Sequence, residues 1–163
     1  KFDMKNYEKK INFKISKNQN FIEYSELGIN YLKQISKIIK DKSGGILIID
    51  YGYNKKKMFY TLQSVKNHKK SNLLKNIYQS DISHMINFNY YKKKMENMNL
   101  DLIKLTNQRK FLLKMGILER AEIISKNLPF SKKTDIYLRL RRLIDEKEMG
   151  SLFKVLFATK KKK

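Results

Sequence analysis

The residues with the most chemical reach stand together at Asp50, Tyr51, Gly52 and Tyr53, directly behind the apolar run Ile46 to Ile49. A carboxylate at a strand end can hold a substrate cation or accept a proton. The competing reading makes Asp50 a turn aspartate bonded to neighbouring backbone. Tyr51 and Tyr53 either wall a cleft or cover apolar surface, and Gly52 permits a sharp turn or a close backbone approach. A second group, His68, Asp81 and His84, has the residue types of a two-histidine, one-carboxylate metal site. The spacing from His68 carries no ligand pattern, so hydrogen-bonded roles and no metal are expected. There are no cysteines, which excludes thiolate nucleophiles, disulfides and cysteine zinc sites.

These residues need elements to position them. Gly28, Tyr31, Leu32, Ile35, Ile38 and Ile39 recur at helical steps, behind the N-cap Ser25 and ahead of Gly44 and Gly45. Ile46 to Ile49 then reads as a strand buried on both faces. Upstream, the alternation Ile11, Phe13, Ile15 suggests an edge strand or hairpin arm in the tail of an upstream segment, residues 1–22. Residues 54–80 show no clean period and read as loop and short helix. Asn87 is a good N-cap for a helix whose core stripe is Phe88, Tyr91, Met95 and Met98; Leu102, Ile103 and Leu105 suggest a strand. Residues 108–126 read as helix interrupted near Gly116, Pro129 and Ser131 open another helix, and Leu152 to Ala158 is an apolar strand before the lysine tail, residues 160–163.

The length of 163 residues suits one core, and the 37 Lys and Arg against 15 Asp and Glu give a formal charge of +22. Such a charge points first to nucleic acid or an anionic surface. Arg supplies only five of the 37 (Arg109, Arg120, Arg139, Arg141, Arg142), and the lysines are spread along the chain. Phosphate recognition favours the Arg fork, so nucleic acid is not the expected partner. No apolar run approaches the roughly 20 residues of a membrane span.

Five ordered segments resemble one family: GGILIIDYG (Gly44 to Gly52), TLQSVKNH (Thr61 to His68), SDISHMINF (Ser80 to Phe88), NQRKFLLKMGILERAEII (Asn107 to Ile124) and RLIDEKEMGSLFKVLF (Arg142 to Phe157). Over residues 23–159 the chain resembles the S-adenosylmethionine-dependent methyltransferases that include the mitochondrial complex I assembly methyltransferase. EYSELG (Glu23 to Gly28) matches more loosely. The resemblance implies an α/β fold, the C-terminal half of a class I, Rossmann-like methyltransferase sheet with an antiparallel last strand. Ligands of such sheets sit beyond the carboxyl ends of the parallel strands. Asp50 and Tyr51 are then the expected catalytic residues, with Gly52, Tyr53, His68 and Asp81 on the substrate side.

The family's glycine-rich cofactor loop has no counterpart among these residues, so cofactor-binding residues are expected in an N-terminal half and little cofactor affinity is expected of this chain alone. A sheet divided there leaves an unpaired edge and uncovered apolar faces. The implied activity is methyl transfer from S-adenosylmethionine to a protein arginine, on a respiratory complex I subunit, in a bacterial cytoplasm or a mitochondrial matrix, without membrane insertion. Two other readings stand beside it: a non-enzymatic basic module that binds RNA or an acidic protein, and a methyltransferase scaffold that has lost catalysis.

Overall fold

The computed structural model describes residues 3–15 and 21–161. In chain order the elements are α1 (Met4–Ile11), α2 (Glu26–Lys42), β1 (Gly45–Tyr53), β2 (Gln63–Lys66), β3 (Lys69–Ser71), β4 (Asp81–Ser83), β5 (Ile86–Asn87), α3 (Phe88–Asn97), β6 (Leu100–Asn107), α4 (Gln108–Lys114), α5 (Ile117–Ser125), α6 (Phe130–Ile144), α7 (Met149–Leu152) and β7 (Phe153–Lys160).

The apolar runs form the main sheet, in the order β5-β1-β7-β6. β7 is antiparallel to both its neighbours, from Gly45↔Thr159 to Tyr51↔Phe153 on one side and from Leu100↔Lys160 to Asn107↔Lys154 on the other. β5 pairs parallel with β1 at Gly52 and Tyr53. Helices α2 and α3 pack against this sheet. The α/β architecture with its antiparallel last strand agrees with the sequence.

Local chemistry sets the helix ends. Ser25 Oγ accepts from the Gly28 amide at 3.0 Å and opens α2, and Asn87 Oδ1 accepts from Tyr90 N at 3.2 Å and opens α3. Gly116, at φ 77°, supplies the left-handed residue that separates α4 from α5. Phe88, Met95 and Leu156 have no exposed area and centre the core with Ile29, Leu32 and Ile39. Each such side chain contributes about 1.5–3 kcal/mol.

Four expectations are corrected. The Ile11, Phe13, Ile15 alternation is not a strand: Ile11 ends α1, and Asn12 turns left-handed at φ 45°. Lys94 Nζ then donates to the Ile11 carbonyl and, at 3.3 Å, to that of Asn12, which caps the helix end. The buried face of α2 is Ile29, Leu32, Ser36 and Ile39, while Tyr31, Ile35 and Ile38 are exposed. Residues 54–80 hold no helix; β2 and β3 belong to a second sheet with β4, in the order β3-β2-β4. β1 is packed on one face, through Ile46 and Ile48, whereas Leu47, Ile49 and Tyr51 on the other face are exposed. Lys162 and Lys163 of the lysine tail lie outside the described residues, as do residues 1, 2 and 16–20 of the upstream segment.

Among the described residues, no strand pairs with the outer edge of β1 from Gly45 to Tyr51. An open edge beside three exposed apolar side chains favours association. Light scattering across a concentration series should show the chain self-associating, reduced by Ile49→Lys; a concentration-independent monomer would contradict this.

Candidate active site

β1 delivers Asp50 to Tyr53 to its carboxyl end. Asp50 is exposed, and its Oδ1 accepts the Tyr51 amide at 2.7 Å. That local bond is the one foreseen for a turn aspartate, and it leaves Oδ2 available. The Asp50 charge also acts on Tyr91, whose pKa is raised first by burial and then by this carboxylate. A Cβ on Gly28, in the first turn of α2, would lie 2.9 Å from the Tyr91 hydroxyl. Asp50, Tyr91 and the start of α2 therefore meet at the strand end.

Tyr53 faces the same region. Its hydroxyl accepts from Phe59 N at 3.2 Å. Its pKa is raised by burial and by the Glu23 charge, against the opposing effects of Phe59 and of the Asn87 side chain. Tyr51 is placed differently: its ring lies 4.1 Å from that of Phe153, tilted by 39°, and remains partly exposed. Gly52 is buried, and a Cβ there would come within 2.5 Å of the Ile86 carbonyl and the Phe88 ring. The close backbone approach allowed by the sequence is real, and it serves the β1–β5 pairing.

A cavity of about 330 Å³ adjoins this end, lined by Phe21, Glu23, Ser25, Tyr60, Leu62 and His84. The Phe21 and Tyr60 rings stand 4.9 Å apart. A narrower recess carries the lining on from Glu23 and His84 to Tyr53, Asn87, Tyr90 and Tyr91. Glu23 organises the junction. Its carboxylate accepts from Thr61 N at 2.7 Å, Thr61 Oγ1 at 2.6 Å and Leu62 N at 3.2 Å, and Thr61 Oγ1 in turn accepts from Met85 N at 2.9 Å. Three separate segments are thus held around one carboxylate. A larger cavity, about 690 Å³, lies elsewhere, between residues 12–15 and α3, lined in part by Lys14, Lys56, Lys92 and Lys93.

Of the residues expected from sequence, Tyr53 lines the recess; Asp50 lines neither cavity nor recess and meets that lining only through its charge on Tyr91. His68 sits in the β2–β3 turn at φ 61°, and Asp81 opens β4 opposite Val65; both are exposed and neither lines the cavity or its recess. No group of three His, Cys, Asp or Glu among the described residues could hold a metal ion. Glu23 and Thr61 are not marked as site residues by the sequence, and Tyr91, expected in the core stripe of α3, reaches the site with its hydroxyl. The signal for Glu23 lay in the loosely matching EYSELG segment, but its bonds span 38 and 39 residues and leave no local pattern.

The glycines offer no cofactor cradle. Gly45 and Gly52 lie within β1 against neighbouring atoms, Gly28 and Gly150 are crowded within helices, and Gly116 follows a helix. Gly44 has open space around it but precedes β1. A phosphate- or nucleoside-binding turn requires glycine between a strand and the following helix. These residues do not form the binding loop for such a cofactor.

Comparison with known proteins supplies the context. Residues 1–106 match a family described as "Putative S-adenosyl-L-methionine-dependent methyltransferase". The chain is 29% identical over 129 residues to the mitochondrial protein arginine methyltransferase NDUFAF7 of Danio rerio, covering 79% of this chain and 30% of that protein. It shares its fold with an uncharacterized protein from Burkholderia thailandensis, at TM-score 0.78 and 19% identity, over 98% of this chain and 44% of that one. A Burkholderia thailandensis structure bound to S-adenosyl-homocysteine aligns at TM-score 0.69 and 21% identity, over 84% and 36% of the two chains. The chain therefore spans less than half the length of each of these relatives. The half-sheet reading drawn from the sequence is consistent with that Rossmann-like fold.

Two outcomes follow from this geometry. Gly52→Ala should cost at least about 2 kcal/mol, because the Ile86 carbonyl cannot give way, and should lower Tm by roughly 4–8 °C in a calorimetric melt. Burial raises the pKa of Tyr53, Tyr90 and Tyr91 above the ordinary 10.0. The stability these protonated hydroxyls contribute is complete below pH 10 and is lost as pH rises towards the folded values. Ultraviolet titration should show three tyrosines ionising late, in step with unfolding; all ten titrating together near the ordinary value would refute this.

Proposed function

The chain belongs to the S-adenosyl-L-methionine-dependent methyltransferase family matched by residues 1–106, and from this premise we propose that the protein it forms part of methylates a protein arginine. The observation that carries the reading is the exposed Asp50 carboxylate towards the carboxyl end of β1, whose charge acts on Tyr91. The similarity to a mitochondrial protein arginine methyltransferase supports the substrate class. By the family resemblance that arginine belongs to a respiratory complex I subunit, in a mitochondrial matrix or a bacterial cytoplasm. Among the described residues no helix is long and apolar enough to cross a membrane.

This chain's share of the work is the substrate side of the cleft. Asp50 Oδ2 accepts from the arginine guanidinium and fixes one edge of its plane. Holding the nitrogen in line is worth far more than the charge alone, since correct orientation removes most of the entropy of the encounter. Phe21 and Tyr60 wall the approach, and Glu23 keeps that wall in place by binding Thr61 and Leu62. The methyl donor is S-adenosylmethionine, and its binding loop belongs to the part of such proteins that this chain does not span.

Calorimetric titration of S-adenosylmethionine should show no binding to this chain and clear binding to an N-terminally extended form. In the extended form, Asp50→Asn should slow methyl transfer to an arginine peptide by about 100-fold or more, with cofactor affinity unchanged. Unaltered transfer would remove Asp50 from the mechanism. Transfer to no arginine at all would leave the scaffold or basic-module reading in its place.

A further inference from the structure

Glu23 stands on a fixed base. Its neighbours Ile22 and Tyr24 pack against the core, and Ser25, two residues on, caps α2. The carboxylate therefore belongs to the main sheet's side of the molecule, yet everything it binds belongs to another segment. Oε1 accepts from Thr61 N at 2.7 Å and from Leu62 N at 3.2 Å, and Oε2 accepts from Thr61 Oγ1 at 2.6 Å. Hydrogen bonds to an ionised acceptor are roughly twice as strong as neutral ones, so this junction is firm.

What Glu23 holds is the root of the second sheet. Thr61 and Leu62 lead into β2, and Thr61 Oγ1 accepts from Met85 N at 2.9 Å, between the end of β4 and the start of β5. Strands β2, β3 and β4 pack chiefly on one another. The way into that sheet and the way out of it thus meet at one hydroxyl, which one carboxylate fixes. Both roots adjoin the cleft. On the way in, Phe59 N donates to Tyr53 Oη at 3.2 Å; on the way out, Met85 leads to Asn87, which lines the recess with Tyr53 and Glu23. Burial and, in the same direction, the Glu23 charge raise the Tyr53 pKa, so the phenol stays protonated within electrostatic reach of that carboxylate. Both carboxylate oxygens are engaged by the protein, so Glu23 acts through its neighbours.

We propose that Glu23 is a positioning residue for methyl transfer: through Thr61 it fixes both roots of the β2–β3–β4 sheet and so holds the Tyr53 side of the cleft against the methyl acceptor. The inference rests on the methyltransferase reading of this cleft and adds to it a residue that does not touch the substrate. A displacement of about 1 Å in such a wall is enough to slow transfer about 100-fold.

The test uses the N-terminally extended form and an arginine peptide. Glu23→Gln keeps the size of the side chain and leaves one acceptor oxygen for three donors. It should lower kcat/KM for the peptide by about 10-fold or more, with S-adenosylmethionine affinity and the circular dichroism spectrum unchanged. Thr61→Val, which removes the hydroxyl, should reproduce the loss, and Thr61→Ser, which restores it, should recover most of it. Because the two residues act as one, the double variant Glu23→Gln, Thr61→Val should be no worse than either single variant. Amide hydrogen exchange should show protection lost at Met85 in both single variants and kept in β1 and β7. Unaltered kcat/KM in Glu23→Gln overturns the proposal, as does a double variant whose losses multiply. Protection lost throughout β1 and β7 would make Glu23 a residue of the fold alone and overturns it too. Absence of transfer by the unsubstituted protein would refute the arginine reading and take the proposal with it, and that control keeps this result apart from the other three.

Discussion

The pairing of β7 with β1 is the constraint on which the rest of the molecule depends. Seven residue pairs, from Gly45↔Thr159 to Tyr51↔Phe153, fix where β1 ends and therefore where Asp50 and Tyr53 stand. The same strand pairs with β6, so one ladder aligns both of its neighbours. The packed face of that ladder supports α2 and α3, whose Ile29, Leu32, Phe88 and Met95 close over Leu156 and Ala158. The cleft is a by-product of this arrangement. It lies where β1 stops being a paired strand and the chain turns towards Phe59 and Thr61.

Two small features carry that alignment into the site. Gly52 has no side chain, which lets the Ile86 carbonyl and the Phe88 ring come against β1 and so fixes Asn87, the cap of α3. Glu23 does the equivalent on the other side, holding Thr61 while Thr61 holds Met85. Tyr53 stands between these two anchors and Tyr91 stands beside Asp50, which is why burial and neighbouring carboxylates act on both phenols.

What the sequence made legible was local. Ser25 and Asn87 announce α2 and α3 because a cap is a bond across three residues, and Ile46 to Ile49 and Leu152 to Ala158 announce strands by apolar density. The alternation at Ile11, Phe13 and Ile15 misled because it straddles a helix end, where Lys94 satisfies carbonyls more than 80 residues away in sequence. β2 and β3 escaped notice because they have four and three residues and join through Asn67 and His68, both at positive φ. Asp50 was readable because it ends an apolar run. The Glu23 clamp was not, because nothing near position 23 indicates position 61. Tyr91 falls on the helical stripe of α3 and read as core, although its hydroxyl reaches the edge of Gly28.

The strand that joins β1 to β6 is the last of the sheet's four in sequence order. β1 ends at Tyr53 and β7 begins at Phe153, so about 5–20 s of synthesis separate them at ordinary elongation rates. Until β7 emerges, β1 and β6 have no common partner, and the Asp50 end of the cleft has no fixed geometry. The nascent chain therefore carries the Gly45 to Tyr51 edge of β1 unpaired until β7 emerges. A polypeptide interrupted just before β7 would hold nearly every residue of the fold and no strand to join β1 to β6.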